Sequence, residues 1–153
     1  LSEAHHARWG YRDLWGFDNS RTAVEILAAQ GFQADVFDMR TCEGWTCGGG
    51  GWGFFTAGAM EQLGREWRTF YDYLIEQKPG VVVHIEPILE IYGTHWFDEL
   101  AKTYHLARGY LEGYWPHLQE EERKGRIAVL REPSRIMGNL YHDGWTLTVW
   151  KPL

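Results

Sequence analysis

The clearest pattern in the chain is a short apolar run, followed by apolar residues at helical spacing and then by alternating apolar and polar residues. Leu14–Phe17 is apolar and ends at Asp18, and Thr22–Gln30 carries aliphatic residues three and four positions apart. Gly31 follows, where a helix often ends, and Ala34–Phe37 then reads as a strand. These positions predict a strand–helix–strand unit.

The middle of the chain predicts further strands separated by helices. Strands are expected at Trp52–Phe55 and at the β-branched run Val81–Ile85, with an amphipathic helix between them. A long helix, Phe97–Glu122, follows, and Pro116 is expected to kink or interrupt it.

The long helix is expected to bury one face. An apolar stripe repeats at three and four positions: Leu100, Tyr104, Ala107, Leu111 and Trp115. His105, Arg108 and Glu112 share a different face, which is either a solvated surface or the lining of a substrate pocket.

Two strands are expected to close the chain. They lie within Gly125–Leu130 and Leu140–Trp150, and the chain is expected to turn between them through Pro133 and Gly138. This connection is too short for a helical crossover, so the two strands are predicted to pair antiparallel.

Composition narrows the classes of function. The net charge of −6 argues against a nucleic-acid partner, and no apolar run is long enough to span a membrane. Two cysteines in 153 residues favour a reducing cytoplasm over a disulfide scaffold. Cys42 and Cys47 flank the start of a four-glycine run, and their spacing is too wide for a typical zinc pair, so no metal is predicted.

Acidic residues follow both strands of the first unit. Asp18 and Asp38 come at the carboxyl ends of strands, the edge where open parallel sheets bind ligands. A carboxylate there can bind ribose hydroxyls or an adenine amine. Either residue alone is also explained as a cap or turn former, although Asn19 and Ser20 can cap the following helix instead.

The runs GFDNS, ADVFDMR, FFTAG and VVVHIEP fall where class I S-adenosylmethionine-dependent methyltransferases have strand ends. The chain resembles strands two to seven of that family. The resemblance implies one α/β domain over residues 1–153, with a Rossmann-like open twisted sheet that is mostly parallel and has an antiparallel last strand. The family's glycine-rich first loop is missing, so we expect a truncated N-terminus without the first strand–helix piece.

The resemblance also implies where S-adenosylmethionine binds. In that family the residue matching Asp18 holds the ribose hydroxyls, and the residue matching Asp38 lies beside the adenine. Methyl donor and acceptor meet beside the segment that starts at Thr56. The cofactor-binding residues expected in this way are Asp18, Asn19, Ser20, Asp38, Met39, Thr56, Ala57 and Gly58.

Candidates for acid–base chemistry lie on the later elements. His84 and Glu86 share one face of a strand, and Pro87 is expected to end the strand pairing and free the Glu86 side chain. The predicted catalytic residues are Glu86, His84 and His105, and the predicted substrate-binding residues are Glu61, Arg108 and His142. Of these, Glu86, His105, Arg108 and His142 are expected to converge on one cavity. Alternatively, His84 is a core group and Glu61 complements a helix dipole.

The predicted function is methyl transfer to a small-molecule or peptidic acceptor. The motif of nucleic-acid amino-methyltransferases, Asp/Asn-Pro-Pro-aromatic, is absent, in agreement with the charge. One alternative is a non-catalytic scaffold or partner subunit of the same fold. Another is a flavodoxin-like binding domain, which lacks the antiparallel closing strands. The sequence names neither the acceptor nor the oligomeric state.

Overall fold

The structure, a computed structural model, describes residues 13–46, 51–139 and 142–153; the side chains of residues 137–143 lie outside this description. The chain separates into two compact units. The N-terminal unit consists of the chain up to Asp38 together with Cys42–Trp45. The C-terminal unit consists of Met39–Thr41 and Thr46–Leu153. The single domain predicted from the sequence stays a prediction.

The N-terminal unit contains the predicted strand–helix–strand pattern. It consists of β1 (Trp15–Asp18), α1 (Arg21–Ala29) and β2 (Gln33–Val36). The two strands pair in parallel, with Trp15 opposite Gln33 and Asp18 opposite Val36. The Ser20 hydroxyl accepts the Ala23 N–H at the start of α1, so Ser20 is the helix cap.

The C-terminal unit contains a four-stranded mixed sheet. Its strands are β3 (Gly53–Ala57), β4 (Val81–Pro87), β5 (Ile127–Asn139) and β6 (His142–Pro152), in the spatial order β3-β4-β6-β5. The pair β3–β4 is parallel, whereas β6 is antiparallel to both of its neighbours. The structure therefore confirms the predicted fold class, with the last strand antiparallel.

The position of the hairpin turn was predicted wrongly. Pro133 and Gly138 both lie inside β5 and do not form the turn. The register between β5 and β6 shifts between Arg131 and Ser134, and such an irregularity accommodates the missing N–H of Pro133.

The long helix is divided into two helices. Helix α2 (Trp67–Gln77) precedes it in the chain, and the two helices are α3 (Trp96–Arg108) and α4 (Tyr114–Arg123). Gly109 and Gly113 both have positive φ, a conformation that ends the first helix and precedes the second. Pro116 does not interrupt the helix, because it lies in the first turn of α4, where a missing N–H is tolerated.

The connection between α3 and α4 is held by side chains from several elements. The Trp67 indole N–H donates to the Glu112 carbonyl at 2.8 Å, and the Gly113 N–H donates to the Glu90 carboxylate. Arg65 donates twice to the Glu112 carboxylate, at 2.8 and 2.9 Å. These bonds give the five-residue connection a defined path.

The core of the C-terminal unit lies between the sheet and helices α2 and α4. Fully buried members include Trp67, Phe70, Leu74, Tyr114, Leu118, Val82 and Trp150. No helix among the described residues is long and apolar enough to cross a membrane.

The predicted buried face of α3 is wrong. Leu100, Tyr104 and Ala107 are exposed, whereas Ala101 and His105 on the other side of the helix are buried. The prediction extended one helical phase from Leu100 through Leu111 and Trp115. Because the chain leaves the helix at Gly109, the burial of Leu111 says nothing about which face of α3 is buried.

Substitutions at Gly64 and Gly109 can test how closely the end of the 3₁₀ helix Met60–Leu63 packs on the α3–α4 connection. A Cβ on Gly64 would lie 2.6 Å from the Gly109 carbonyl oxygen, and Gly64 has φ +59° and ψ −113°. A Cβ on Gly109, with φ +65° and ψ +36°, would meet no atom within 4 Å. We expect Gly109→Ala to lower the free energy of unfolding by about 1–2 kcal/mol. Gly64→Ala should lower it by about 3 kcal/mol or more, because a backbone atom must also move.

The measurement is urea unfolding of both variants, followed by circular dichroism. Equal losses of stability would contradict the close packing of Gly64 against Gly109.

Candidate functional site

The N-terminal unit places two carboxylates at one edge of its parallel strand pair. Asp18 is the last residue of β1, and its backbone carbonyl accepts the Phe37 N–H at 3.1 Å, which extends the pairing beyond β2. Asp38 follows directly. Both acids therefore lie at the carboxyl ends of the strands, the edge at which ligands of parallel sheets bind.

The protein holds the Asp18 side chain in place through only one of its two carboxylate oxygens. Its Oδ1 accepts the Ser20 N–H at 2.8 Å, and its Oδ2 has no hydrogen-bond partner among the described residues. Ser20 caps α1, so Asp18 is not needed as a cap. One carboxylate oxygen is thus fixed by the protein and the other is available, which suits the two vicinal hydroxyls of a ribose.

The other residues expected beside the cofactor occupy varied positions. Asn19 is exposed beside Asp18, and Met39 is half-buried and belongs to the C-terminal unit. Ala57 is exposed at the end of β3, and the Gly58 N–H donates to the Ile85 carbonyl at 3.0 Å. Gly58 has φ +60°, a left-handed conformation that favours glycine, and a Cβ there would be in ordinary van der Waals contact with the Trp145 ring at 3.4 Å.

Glu86 binds the start of the 3₁₀ helix that follows β3. Its fully buried carboxylate accepts the N–H groups of Ala59 and Met60 at Oε1, both at 3.2 Å, and that of Glu61 at Oε2, at 3.1 Å. Burial raises the pKa of Glu86, while hydrogen bonds from the Thr56 hydroxyl and the three amides oppose the shift. The carboxylate therefore organises the backbone after β3.

The expected effect of Pro87 on Glu86 is wrong. β4 continues through Pro87, which pairs with Trp145, so the ladder does not end there. The Glu86 side chain is buried and bonded to the segment after β3.

His84 belongs to the same buried network. Its Nδ1 lies 2.8 Å from the Thr56 hydroxyl oxygen, which also bonds to Glu86. When Glu86 is ionised it can only accept, so the single Thr56 proton points to Glu86 and His84 Nδ1–H donates to Thr56. His84 Nε2 then carries a buried lone pair with no partner among the described residues. Burial lowers the pKa of His84 to about 3.

The remaining predicted residues lie elsewhere in the C-terminal unit. His105 is fully buried, and its Nε2 lies 2.6 Å from the Leu111 carbonyl oxygen. Arg108 is exposed, and its bond to the Tyr110 hydroxyl raises its pKa, with a smaller contribution from Glu61. The His142 side chain lies outside the described residues.

The structure thus brings together Thr56, His84, Glu86 and the Glu61 amide. The convergence of Glu86, His105, Arg108 and His142 on one cavity stays a prediction. Sequence reasoning missed the bond from Glu86 to three consecutive amides. The sequence did contain one signal for it: a glutamate at the end of an apolar strand, next to a parallel strand that ends in a glycine turn.

Replacing the Glu86 carboxylate should destabilise the C-terminal unit. In Glu86→Gln the amide NH₂ replaces one accepting oxygen and faces a backbone N–H. We expect the free energy of unfolding to fall by about 1–3 kcal/mol. Glu76→Gln on the exposed side of α2 is the control and should change it by less than about 0.5 kcal/mol.

The Glu86→Gln difference should also depend on pH. Because the pKa of Glu86 is raised from 4.5, the folded protein keeps a proton that the unfolded chain has lost. The stability contributed by this group is full below pH 4.5 and is lost as the pH rises through the folded pKa. Unfolding from pH 4 to pH 8 should show the advantage of the wild type over Glu86→Gln becoming smaller as the pH rises; a constant difference would contradict the raised pKa.

His84 should stay neutral through mildly acidic conditions. With its pKa lowered from 6.5 to about 3, its contribution to stability is full above pH 6.5 and is lost as the pH falls. NMR of the imidazole carbons, assigned with His84→Gln, should show no titration between about pH 8 and pH 4.5. A midpoint near 6.5 would mean that His84 is open to solvent.

Comparison with known proteins supports the fold. No family model matches the chain, and no curated protein matches its sequence. Among solved structures, LepI in complex with SAM matches with a TM-score of 0.67 and 9% identity over 99% of this chain and 39% of LepI. OxaC matches with a TM-score of 0.65 and 13% identity, again over 99% of this chain and 39% of that one.

The methyltransferase domain of bacterial CtHen1-C matches with a TM-score of 0.61 and 14% identity, over 95% of this chain and 80% of that one. A further match at 0.67 is described as a pericyclic reaction enzyme. The chain spans about two fifths of the length of LepI and OxaC. Identities this low show the fold alone, and the chain has a class I S-adenosylmethionine-dependent methyltransferase-like fold.

Proposed function

We propose that this chain binds S-adenosylmethionine and transfers its methyl group to a small-molecule or peptidic acceptor. The observation that carries the proposal is the Asp18 carboxylate, held at the end of a parallel strand with one oxygen bonded to Ser20. Structures of this fold that hold SAM or SAH support it. The net charge of −6 favours a small or peptidic acceptor over a nucleic acid.

The residues of the N-terminal unit would hold the adenosyl group. Asp18 would accept the ribose hydroxyls, with Oδ2 as the principal acceptor, and its bond to Ser20 would fix the carboxylate before the ligand arrives. Asp38 would accept the exocyclic amine of the adenine, and Asn19 and Met39 directly follow these two acids in the sequence. In the C-terminal unit, Thr56, Ala57 and Gly58 would form the turn next to the transferred methyl group.

The cofactor, when bound, supplies a methyl group activated by a positively charged sulfur. The contribution of the protein is then to orient the acceptor in line with that methyl group. Arg108 is exposed, with Glu61 within electrostatic range, and we propose these two side chains as acceptor contacts.

We assign no general base to His84, Glu86 or His105. All three are buried, and each has a hydrogen bond within the protein. A neutral imidazole with a pKa of about 3 is also a poor proton acceptor at pH 7. These three described residues therefore supply no base, and an acceptor such as a carboxylate or a thiolate would need none.

A second candidate is a non-methylating protein of the same fold, and the burial of those three side chains favours it. Such a protein would bind S-adenosylmethionine without transferring its methyl group. The flavodoxin-like alternative is wrong, because β5 and β6 form an antiparallel closing pair.

Asp18 should control affinity for the adenosyl ligand. Calorimetric titration with S-adenosylhomocysteine should show affinity weakened by about tenfold or more in Asp18→Ala, because charge-assisted hydrogen bonds to the ribose are lost. Asp18→Asn can still accept the Ser20 N–H but lacks the charge, so weaker binding with an unchanged fold would assign the effect to the charge.

The matched control is Asp13→Ala, an exposed aspartate that precedes the opposite end of β1. It should bind like the wild type. Equal affinity of Asp18→Ala and wild type would make Asp18 a turn residue only, and no heat from the wild type would remove the proposal itself.

A further inference from the structure

The loop that follows β2 brings Trp45 back to the end of that strand. The Cys42 N–H donates to the Asp38 carbonyl at 2.8 Å, and Cys42 and Gly44 both have positive φ, a conformation found in tight turns. A Cβ on Gly44 would lie 3.9 Å from the carbonyl oxygen of Val36, the last residue of β2. Trp45 is the next residue, and it therefore lies near the carboxyl end of β2.

The Trp45 ring lies against the aromatic residues that precede the two aspartates. Its centroid is 4.6 Å from that of Phe17, and Phe17 in turn makes an edge contact with Phe37 at 5.9 Å. Phe17 directly precedes Asp18, and Phe37 directly precedes Asp38. Because consecutive Cα atoms are about 3.8 Å apart, the indole lies on the order of 10 Å from both carboxylates. One nucleoside can span that distance.

The indole occupies the face of the strand pair opposite to α1. A Cβ on Gly16 would lie 2.8 Å from Leu27 of α1, so Gly16 faces that helix and Phe17 points to the other face. Trp45 is half-buried there, and part of its flat surface remains exposed at the edge of the strands. Flat aromatic rings with a few polar groups placed around them are typical of ligand sites, and nucleic-acid bases stack on such rings.

We propose that the Trp45 indole stacks on the adenine ring of the cofactor. The proposal rests on the proposed function, in which Asp18 would bind the ribose and Asp38 the exocyclic amine. It adds the surface on which the base lies. The two carboxylates provide only hydrogen bonds at the rim of the nucleoside, whereas a stacked ring covers the apolar face of the purine and excludes water from it.

The first test measures affinity. Calorimetric titration with S-adenosylhomocysteine should show binding weakened by about tenfold or more in Trp45→Leu, the loss that removal of one base–aromatic stack causes. Trp45→Phe keeps an aromatic ring and should bind within about threefold of the wild type.

The matched control is Trp15→Leu. Trp15 also stacks on Phe17, with ring centroids 6.2 Å apart, but it lies at the opposite end of β1 from Asp18. Trp15→Leu therefore removes an indole from the same aromatic cluster and should bind like the wild type. Circular dichroism should show all the variants folded.

The second test is spectroscopic, because an indole stacked on a purine loses much of its fluorescence. S-adenosylhomocysteine should quench the tryptophan fluorescence of the wild type. The quenching should disappear in Trp45→Phe, which still binds the ligand.

Three outcomes would overturn the stacking: Trp45→Leu that binds as tightly as the wild type, quenching that persists in Trp45→Phe, or an equal loss of affinity in Trp15→Leu. If Asp18→Ala still weakens binding, each of these leaves the proposed function standing. No heat from the wild type would overturn both proposals together.

Discussion

The C-terminal unit depends on one buried carboxylate that accepts hydrogen bonds from three consecutive backbone amides. Burying an ionisable group is costly unless its hydrogen bonds are satisfied, and Glu86 meets this condition with Ala59, Met60, Glu61 and the Thr56 hydroxyl. These bonds tie the end of β4 to the segment that follows β3. The segment then continues into α2, whose aromatic face builds much of the core.

The same network limits the chemistry available to the protein. A carboxylate that holds three amides cannot move toward a substrate without releasing them, and the neighbouring imidazole accepts a proton only in strong acid. The N-terminal unit has the opposite character. There Asp18 accepts the N–H of Ser20 with one oxygen, and its other oxygen has no hydrogen-bond partner among the described residues. The buried polar groups Thr56, His84 and Glu86 are thus bonded to one another and to the backbone, whereas the strand ends of the N-terminal unit carry the carboxylates of the proposed adenosyl site.

Much of the fold was predictable from local signals. The strand–helix–strand unit around Asp18 and the antiparallel closing strands follow from periodicity, a glycine and a short connection. An interruption of the long helix was predicted at Pro116, but the break lies at Gly109–Gly113, because Pro116 fits the first turn of a helix and the two glycines take positive φ. The outward face of α3 was missed because apolar spacing identifies a stripe but does not say what covers it. The bonds of Glu86 were missed because their donors are backbone amides some 25 residues away in sequence, which no side-chain pattern reveals.

The connection between α3 and α4 shows that glycine need not mean motion. Two of its five residues are glycines, a composition usually associated with a hinge. Yet Trp67, Arg65, Glu90 and His105 all bind this short segment. The glycines supply backbone shape, and the side chains around them remove the freedom that this shape would otherwise allow. The segment is therefore fixed to α2 and to the turn after β4, and a displacement of α3 would have to break these bonds before the bend could take it up.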